Sequence, residues 1–311
     1  MPRLVRVVVD LLEREGAVTR IRLRDPEGWE LPPFHAGAHI DLFLPGGSFR
    51  TYSLINPPAL SDRYEIAVRE ERAGRGGSTY LCNGLELGDE MGVSLPRGGF
   101  EAIPPHSRFI AGGIGITPFL SVALSLLHQE RRDFVLHWIT RGPAPFPDLQ
   151  APLRRAGVLK LHDTQLVGRP DLSKLLGPVD RTALVACCGS ESLLESFAVA
   201  TQHLDLRHIH VERFVPPTVR PDPDAAPYTL ILAQSHRRIE VLAGDAMSDA
   251  LRAAGVVVPV SCGGGICGAC KVRWLSGTPI HRDRFLKPQD RSQFLLSCVA
   301  LSAGPELVVD L

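Results

Sequence analysis

Charge of one sign is what this sequence lacks. Its 311 residues carry 34 Lys+Arg against 34 Asp+Glu, which excludes a general nucleic-acid or polyanion binder, since such proteins need a basic excess. Lysine itself is scarce, present only at 160, 174, 271 and 287, a bias from which no function follows. No run approaches the ~18 consecutive apolar residues of a membrane span. The opening stretch MPRLVRVVVDLLEREG has a short apolar run, acidic residues directly after it and no small-residue cleavage site, which argues against a signal peptide. Internal repeats are absent. The 29 Gly and 26 Pro are spread among apolar, strand-like runs, so neither disorder nor a collagen repeat fits.

The length predicts two or three domains at roughly 100–150 residues each. Seven cysteines stand at 82, 187, 188, 262, 267, 270 and 298, four of them in the last sixth of the chain. Clustered thiols point to metal or redox chemistry in a reducing cytoplasm, not to a secreted disulfide scaffold.

Three segments follow one another. HIDLFL (39–44), the Pro45-Gly46-Gly47 turn, FRTYSL (49–54) and YEIAVRE (64–70) predict a small antiparallel β-barrel over 1–103. The runs RFIA (108–111), FLSVALSLLHQ (119–129), FVLHWI (134–139), TALVACC (182–188) and SLLESFAVA (192–200) alternate strand with helix. They predict a parallel-sheet α/β domain over 104–214. The segment 215–227, VPPTVRPDPDAAP, has five prolines and the composition of a stiff linker. A third domain over 228–311 begins with hairpin-like YTLILAQ and RRIEVLA and a helical MSDALRAAG. The fold class is thus multidomain, β then α/β then α+β.

Cys262, Cys267, Cys270 and Cys298 read C-x4-C-x2-C-x27-C, the spacing of plant-type [2Fe–2S] centres. Gly263, Gly264, Gly265 and Gly268 let one loop fold back so that backbone N–H groups face the cluster sulfurs. A four-thiolate zinc site is the alternative these residues leave open. VPVSCGGGICGACKVRWLSG, with LLSCVA further on, resembles a plant-type ferredoxin domain across 228–311. That resemblance implies a β-grasp-like fold. Nine Lys/Arg and seven Asp/Glu in this segment are not the acidic surface of a free-standing photosynthetic ferredoxin, so it is expected to receive electrons within its own chain.

Arg50-Thr51-Tyr52-Ser53-Leu54 leaves a strand in which Arg50 shares a face with Tyr52, and Thr51 with Ser53. Such a face meets an anion and a flat ring together. Gly74-Arg75-Gly76-Gly77-Ser78 precedes the short helical stretch TYLCNGL and reads as a phosphate cradle or, more blandly, as a loop with an N-cap serine. Gly112-Gly113-Ile114-Gly115-Ile116-Thr117-Pro118 joins a strand to a helix. Pro118 replaces the third glycine of a Rossmann turn, Thr117 suits a cap, and the glycines let backbone approach a pyrophosphate.

In this order the motifs resemble the phthalate dioxygenase reductase branch of the ferredoxin–NAD(P)+ reductase superfamily. The resemblance implies Arg50, Thr51, Arg75, Gly76, Gly77 and Ser78 around a flavin phosphate. It likewise implies Tyr52, Ser53, Ala67, Val68 and Arg69 near the flavin ring. Gly113, Gly115, Thr117, Cys188 and Gly189 would form the nicotinamide site, and Phe214, closing His210-Val211-Glu212-Arg213-Phe214, would cover the ring. Thr117, Cys188 and Phe214 would position the stacked rings, with no side-chain acid, base or nucleophile required. Cys82 and Cys187 are expected to be packing residues, and His281-Arg282-Asp283 a hydrogen-bonded loop. Only Arg141 follows FVLHWIT, which favours NADH over NADPH. A carboxy-terminal ferredoxin domain implies FMN. The expected protein is a cytoplasmic, monomeric reductase moving electrons from NADH through FMN and [2Fe–2S] to a Rieske-type oxygenase. FAD with another acceptor, such as a ferredoxin or a cytochrome P450, and a non-catalytic metal-binding module are the alternatives.

Overall fold

A computed structural model of the chain describes residues 4–45, 49–72, 76–214, 225–260, 263–266 and 268–311. Residues 4–44 and 50–214 belong to one compact unit and residues 225–311 to a second. The Pro45-Gly46-Gly47 turn, Gly74, Arg75, Cys262, Cys267 and most of the Pro-rich segment lie outside the described residues in whole or in part.

The first unit opens with a six-stranded antiparallel sheet of β1 (Leu4–Glu15), β2 (Val18–Arg24), β3 (His39–Phe43), β4 (Phe49–Ser53), β5 (Tyr64–Arg69) and β6 (Glu90–Ser94), in the order β4-β3-β6-β1-β2-β5. Its two outer strands meet where Leu54 bridges Ile66 and the Ile55 N–H donates to the Glu65 carbonyl at 2.8 Å. The expected barrel therefore closes at this seam. The amino-terminal run is its longest strand. Glu15 pairs with Val18 across Gly16, whose φ of 60° suits the two-residue turn. Val7, Val9, Ile21, Leu23, Ile40 and Leu42 alternate inward and are buried. Helix α1 (Gly77–Asn83) adds Leu81 and Cys82 to that interior, so Cys82 is a packing residue.

A five-stranded parallel sheet follows, built from β7 (Arg108–Gly112), β8 (Val135–Thr140), β9 (Leu159–Asp163), β10 (Val185–Cys188) and β11 (Ile209–Glu212). Its order is β11-β10-β7-β8-β9. Around it lie α2 (Thr117–His128), α3 (Pro147–Arg155), α4 (Thr164–Val167), α5 (Leu172–Leu176) and α6 (Glu191–Thr201). Strand order reverses at β7, with β8 on one side and β10 on the other. Such switch points open a crevice at the carboxyl ends of the strands, where open α/β sheets bind ligands. Ile55 and Ala67 from the barrel share one apolar cluster with Phe109, Phe119, Leu136, Trp138 and Cys188 from this sheet and its helices.

The second unit is a mixed sheet of β12 (Tyr228–Leu232), β13 (Arg237–Val241), β14 (Lys271–Ile280), β15 (Phe294–Leu296) and β16 (Leu301–Val309), in the order β13-β12-β16-β14-β15. β12 and β16 run parallel and the other pairs antiparallel. Met247 and Leu251 of α7 (Met247–Ala253) are fully buried with Leu230, Val241 and Leu307. Among the described residues, no helix is long and apolar enough to cross a membrane.

Candidate functional site

On the barrel, Arg50 reaches from β4 to the start of α1. A Cβ added to Gly77 would lie 2.7 Å from the Arg50 Nε and 2.8 Å from its Cγ, so only glycine lets the arginine lie against this backbone. Gly76 holds the left-handed φ of 79° as the helix begins. A guanidinium beside the first turn of a helix is an arrangement that favours an anion. Ser78 departs from the N-cap expectation. It is the second helical residue, and its hydroxyl accepts the Glu71 N–H at 3.0 Å. Thr51 donates to Asp41 at 2.6 Å, which also takes Arg97 at 2.6 Å. Burial raises the Tyr52 phenol well above its ordinary range, with Arg50 acting the other way. On β5, Ala67 faces the cluster shared with the parallel sheet, whereas the Val68 side chain belongs to the barrel interior. Val68 therefore offers a ligand only its backbone. Arg69 is exposed and approaches Gly113.

The glycine turn differs from the capped helix start expected of it. Gly113–Ile116 form a 3₁₀ turn that runs straight into α2. Thr117 has helical dihedrals, is buried, and donates its hydroxyl to the Ile114 carbonyl at 3.2 Å. The Gly113 carbonyl accepts the Trp138 indole N–H at 2.8 Å. Gly115 has a structural duty: a Cβ there would lie 2.4 Å from the Cys188 carbonyl oxygen and 2.9 Å from the Gly189 nitrogen. Gly189 packs as closely in return, since its Cβ would lie 3.1 Å from the Gly112 Cα. The two loops at the switch point thus touch backbone to backbone.

Cys188 ends β10 fully buried, with its thiol pKa raised by burial and further by Glu212 and Cys187, so it stays a neutral thiol. Cys187 faces the opposite cluster, and burial pushes its thiol up to about 12, as befits a packing residue. Glu212 pairs with Cys188 in the strand register, and its carboxylate accepts the Ser53 hydroxyl at 3.3 Å. Burial pushes the Glu212 carboxyl up to about 7, against the lowering by Ser53. Phe214, two residues on, is 41% exposed. This junction therefore gathers Ser53, Cys188, Glu212 and the Gly113 turn, with Arg69 beside it.

In the second unit, the Cys270 and Cys298 sulfurs lie 3.1 Å apart, both buried. That is too long for a disulfide at about 2.05 Å and close enough to serve one centre. Gly265 and Gly268 have φ of 72° and 74°. A Cβ on Gly265 would strike Val299 and Asp283, and one on Gly268 the Phe285 ring. Glycines packed this tightly along the cysteine-rich segment fit a cluster-wrapping loop. Asp283 accepts the Phe285 and Leu286 N–H groups at 3.2 and 2.8 Å, the hydrogen-bonded loop expected of HRD.

The 2Fe-2S iron-sulfur cluster binding domain family matches residues 230–303. That match favours a [2Fe–2S] cluster over zinc. The chain is also 37% identical over 298 residues to phthalate dioxygenase reductase of Burkholderia cepacia, covering 93% of this chain and 91% of that one. It belongs to the phthalate dioxygenase reductase family. A solved phthalate dioxygenase reductase, described as a modular structure for electron transfer from pyridine nucleotides to [2Fe–2S], superposes with a TM-score of 0.76 at 35% identity, covering 99% of this chain and 98% of the other. The heme-dependent oxidative N-demethylase beta subunit of Ectopseudomonas mendocina is 38% identical over 290 residues, 90% of each chain. Like its relatives in the phthalate dioxygenase reductase family, the chain is an oxidoreductase with a flavin- and NAD-binding reductase fold and a [2Fe–2S] domain.

Glu212, within HVERF, is a site residue that the sequence alone does not single out. A carboxylate at a strand end looks solvated until its burial is known. The link from Trp138 to Gly113 was equally hidden, because an indole in an apolar run signals only core.

Proposed function

We propose that this chain is the NADH-dependent reductase of a two-component Rieske-type oxygenase or demethylase, passing electrons through FMN and its [2Fe–2S] cluster. The observation that carries this reading is the junction where Ser53 of the barrel meets Glu212, which pairs with Cys188 in the parallel sheet. Arg50, with the Gly76-Gly77 backbone and with Thr51, Arg75 and Ser78 nearby, holds the flavin phosphate. Tyr52, Ser53, Ala67, Arg69 and the Val68 backbone line its ring, and Phe214 covers it. Gly113, Gly115, Thr117, Cys188 and Gly189 shape the nicotinamide pocket, and a neutral Cys188 thiol adds no charge there. Cys262, Cys267, Cys270 and Cys298 hold the cluster. A flavin held by these residues would supply hydride acceptance and one-electron transfer toward the cluster.

The domains assigned to these tasks are 1–103 for flavin, 104–214 for NAD and 228–311 for the cluster, joined by 215–227. Their order supports FMN over FAD. Asp163, at the carboxyl end of β9, accepts the Gly142 N–H at 2.9 Å, beside Arg141. A carboxylate there disfavours a 2′-phosphate and supports NADH. Cys82, Cys187 and Cys188, buried as thiols, support a reducing cytoplasm. One chain carries every binding group named, which supports a monomer as the working unit.

Heat release and chromatography of the flavin should give FMN, and kcat/KM should favour NADH over NADPH. Cys298→Ser should abolish cytochrome c reduction while NADH still bleaches the flavin. Undiminished cytochrome c reduction would overturn transfer through the cluster. The heme-dependent N-demethylase relative supports a second reading, a haem-containing acceptor in place of a Rieske centre. Reduction of a purified haem demethylase subunit, with no transfer to a Rieske oxygenase, would favour it.

A further inference from the structure

The net charge of zero conceals an uneven distribution. Between 261 and 300 there are six Lys/Arg and two Asp/Glu. One of those acids, Asp283, is buried with its carboxylate turned to the Phe285 and Leu286 N–H groups. It offers nothing to a partner, and the residues around it are left to set the local surface.

Those residues flank the cysteine loop directly. The Arg284 N–H donates to the Gly265 carbonyl at 3.0 Å. The Phe285 ring lies on Gly268, so close that a Cβ there would be 2.3 Å from it, yet the side chain remains 46% exposed. Leu286 is buried in one apolar cluster with Cys270 and Cys298. Arg284 and Lys287 on either side are exposed. A large exposed aromatic inside a cationic rim is the composition of an interface hot spot, not of an ordinary solvated loop. The cationic rim selects the partner by charge, steering an anionic surface and repelling a cationic one.

We propose that Arg284, Phe285 and Lys287 form the docking edge through which the cluster meets its acceptor, a protein whose own face is acidic around an apolar centre. This rests on the reductase reading above and adds the chemistry of the partner.

Two forms of one haem protein test it: native cytochrome c, which is cationic, and succinylated cytochrome c, which is anionic. With the holoprotein at low salt, NADH-driven reduction of the succinylated form should be about tenfold faster than that of the native form. The advantage should fade as salt rises from about 10 mM to about 300 mM, where screening shortens to under ~10 Å. Arg284→Glu with Lys287→Glu should reverse the preference, and Arg284→Gln with Lys287→Gln should abolish it. Calorimetric titration with reduced succinylated cytochrome c should show affinity about tenfold weaker in the Glu pair. An unchanged preference and affinity in both pairs would overturn the docking edge. Slower single-turnover reduction of the cluster by NADH in the Glu pair would also overturn it, assigning the face to this chain's own flavin unit. Ferricyanide reduction by NADH reports the flavin step alone. Its absence would fail the reductase reading, while the titration still decides the docking edge.

Discussion

At Gly115 an added methyl carbon would sit 2.4 Å from the carbonyl oxygen of Cys188, a contact between two backbones that no rotamer change relieves. Gly115→Ala should therefore push the turn off β10, destabilising the protein by about 2–3 kcal/mol and raising KM for NADH more than kcat falls. Denaturant melts and steady-state kinetics check both effects. Glu212 makes a different prediction. The fold holds its proton up to about 7 against the ordinary 4.5, so between those values the folded state keeps a proton the unfolded chain has lost. The stability tied to Glu212 is complete below about 4.5 and is lost as pH rises through about 7. Glu212→Gln should remove about 2 kcal/mol of that loss, discounted for partial burial, when unfolding at about pH 5 and about pH 8 is compared. At this scale the glycines of GGIGITP were legible because a turn needs them. Their duty toward Cys188 was not, because the two loops are some seventy residues apart in sequence and adjacent only through the parallel pairing of β7 with β10.

Among the elements, the junction between barrel and parallel sheet carries a mostly buried ion network. Arg20 on β2 donates to Glu65 on β5 at 2.6 and 2.9 Å and to Asp148 on α3 at 2.8 Å, with side chains 12%, 4% and 56% exposed. Nearby, the carboxylate of Glu15 accepts the N–H of Phe146, whose left-handed φ of 60° starts α3. Arg20→Met strips a buried carboxylate of a partner and should cost about 3 kcal/mol. Asp148→Asn, at the exposed end, should cost under about 1 kcal/mol. Urea unfolding of the two variants checks the contrast. Strands with plain alternation, such as 39–44 and 64–70, could be read directly from sequence. So could the helices of 119–129 and 192–200, whose apolar runs are long. β1 and β9 lie outside the runs legible in sequence: the first has a short apolar run broken by acidic residues, and the second, LKLHD, is short and polar at its exposed edge.

Taken whole, each of the two units has apolar clusters of its own, around Val7, Phe109 and Phe197 in one and Leu230 and Cys270 in the other. Calorimetry should show two transitions, and Leu307→Ala should lower only the one that coincides with loss of the iron–sulfur absorption, by about 3 kcal/mol of stability in that unit. The position of β16 bears on how that unit is made. It lies between β12 and β14, and it is synthesised after Cys298, the last of the four thiols proposed to hold the cluster. All four thiols thus leave the ribosome before the central strand that joins the two halves of their sheet. On the proposed ligand set, iron and sulfide offered before residues through Val309 are in place would meet thiols in an unfinished scaffold, so cluster insertion is expected to follow the pairing of β16.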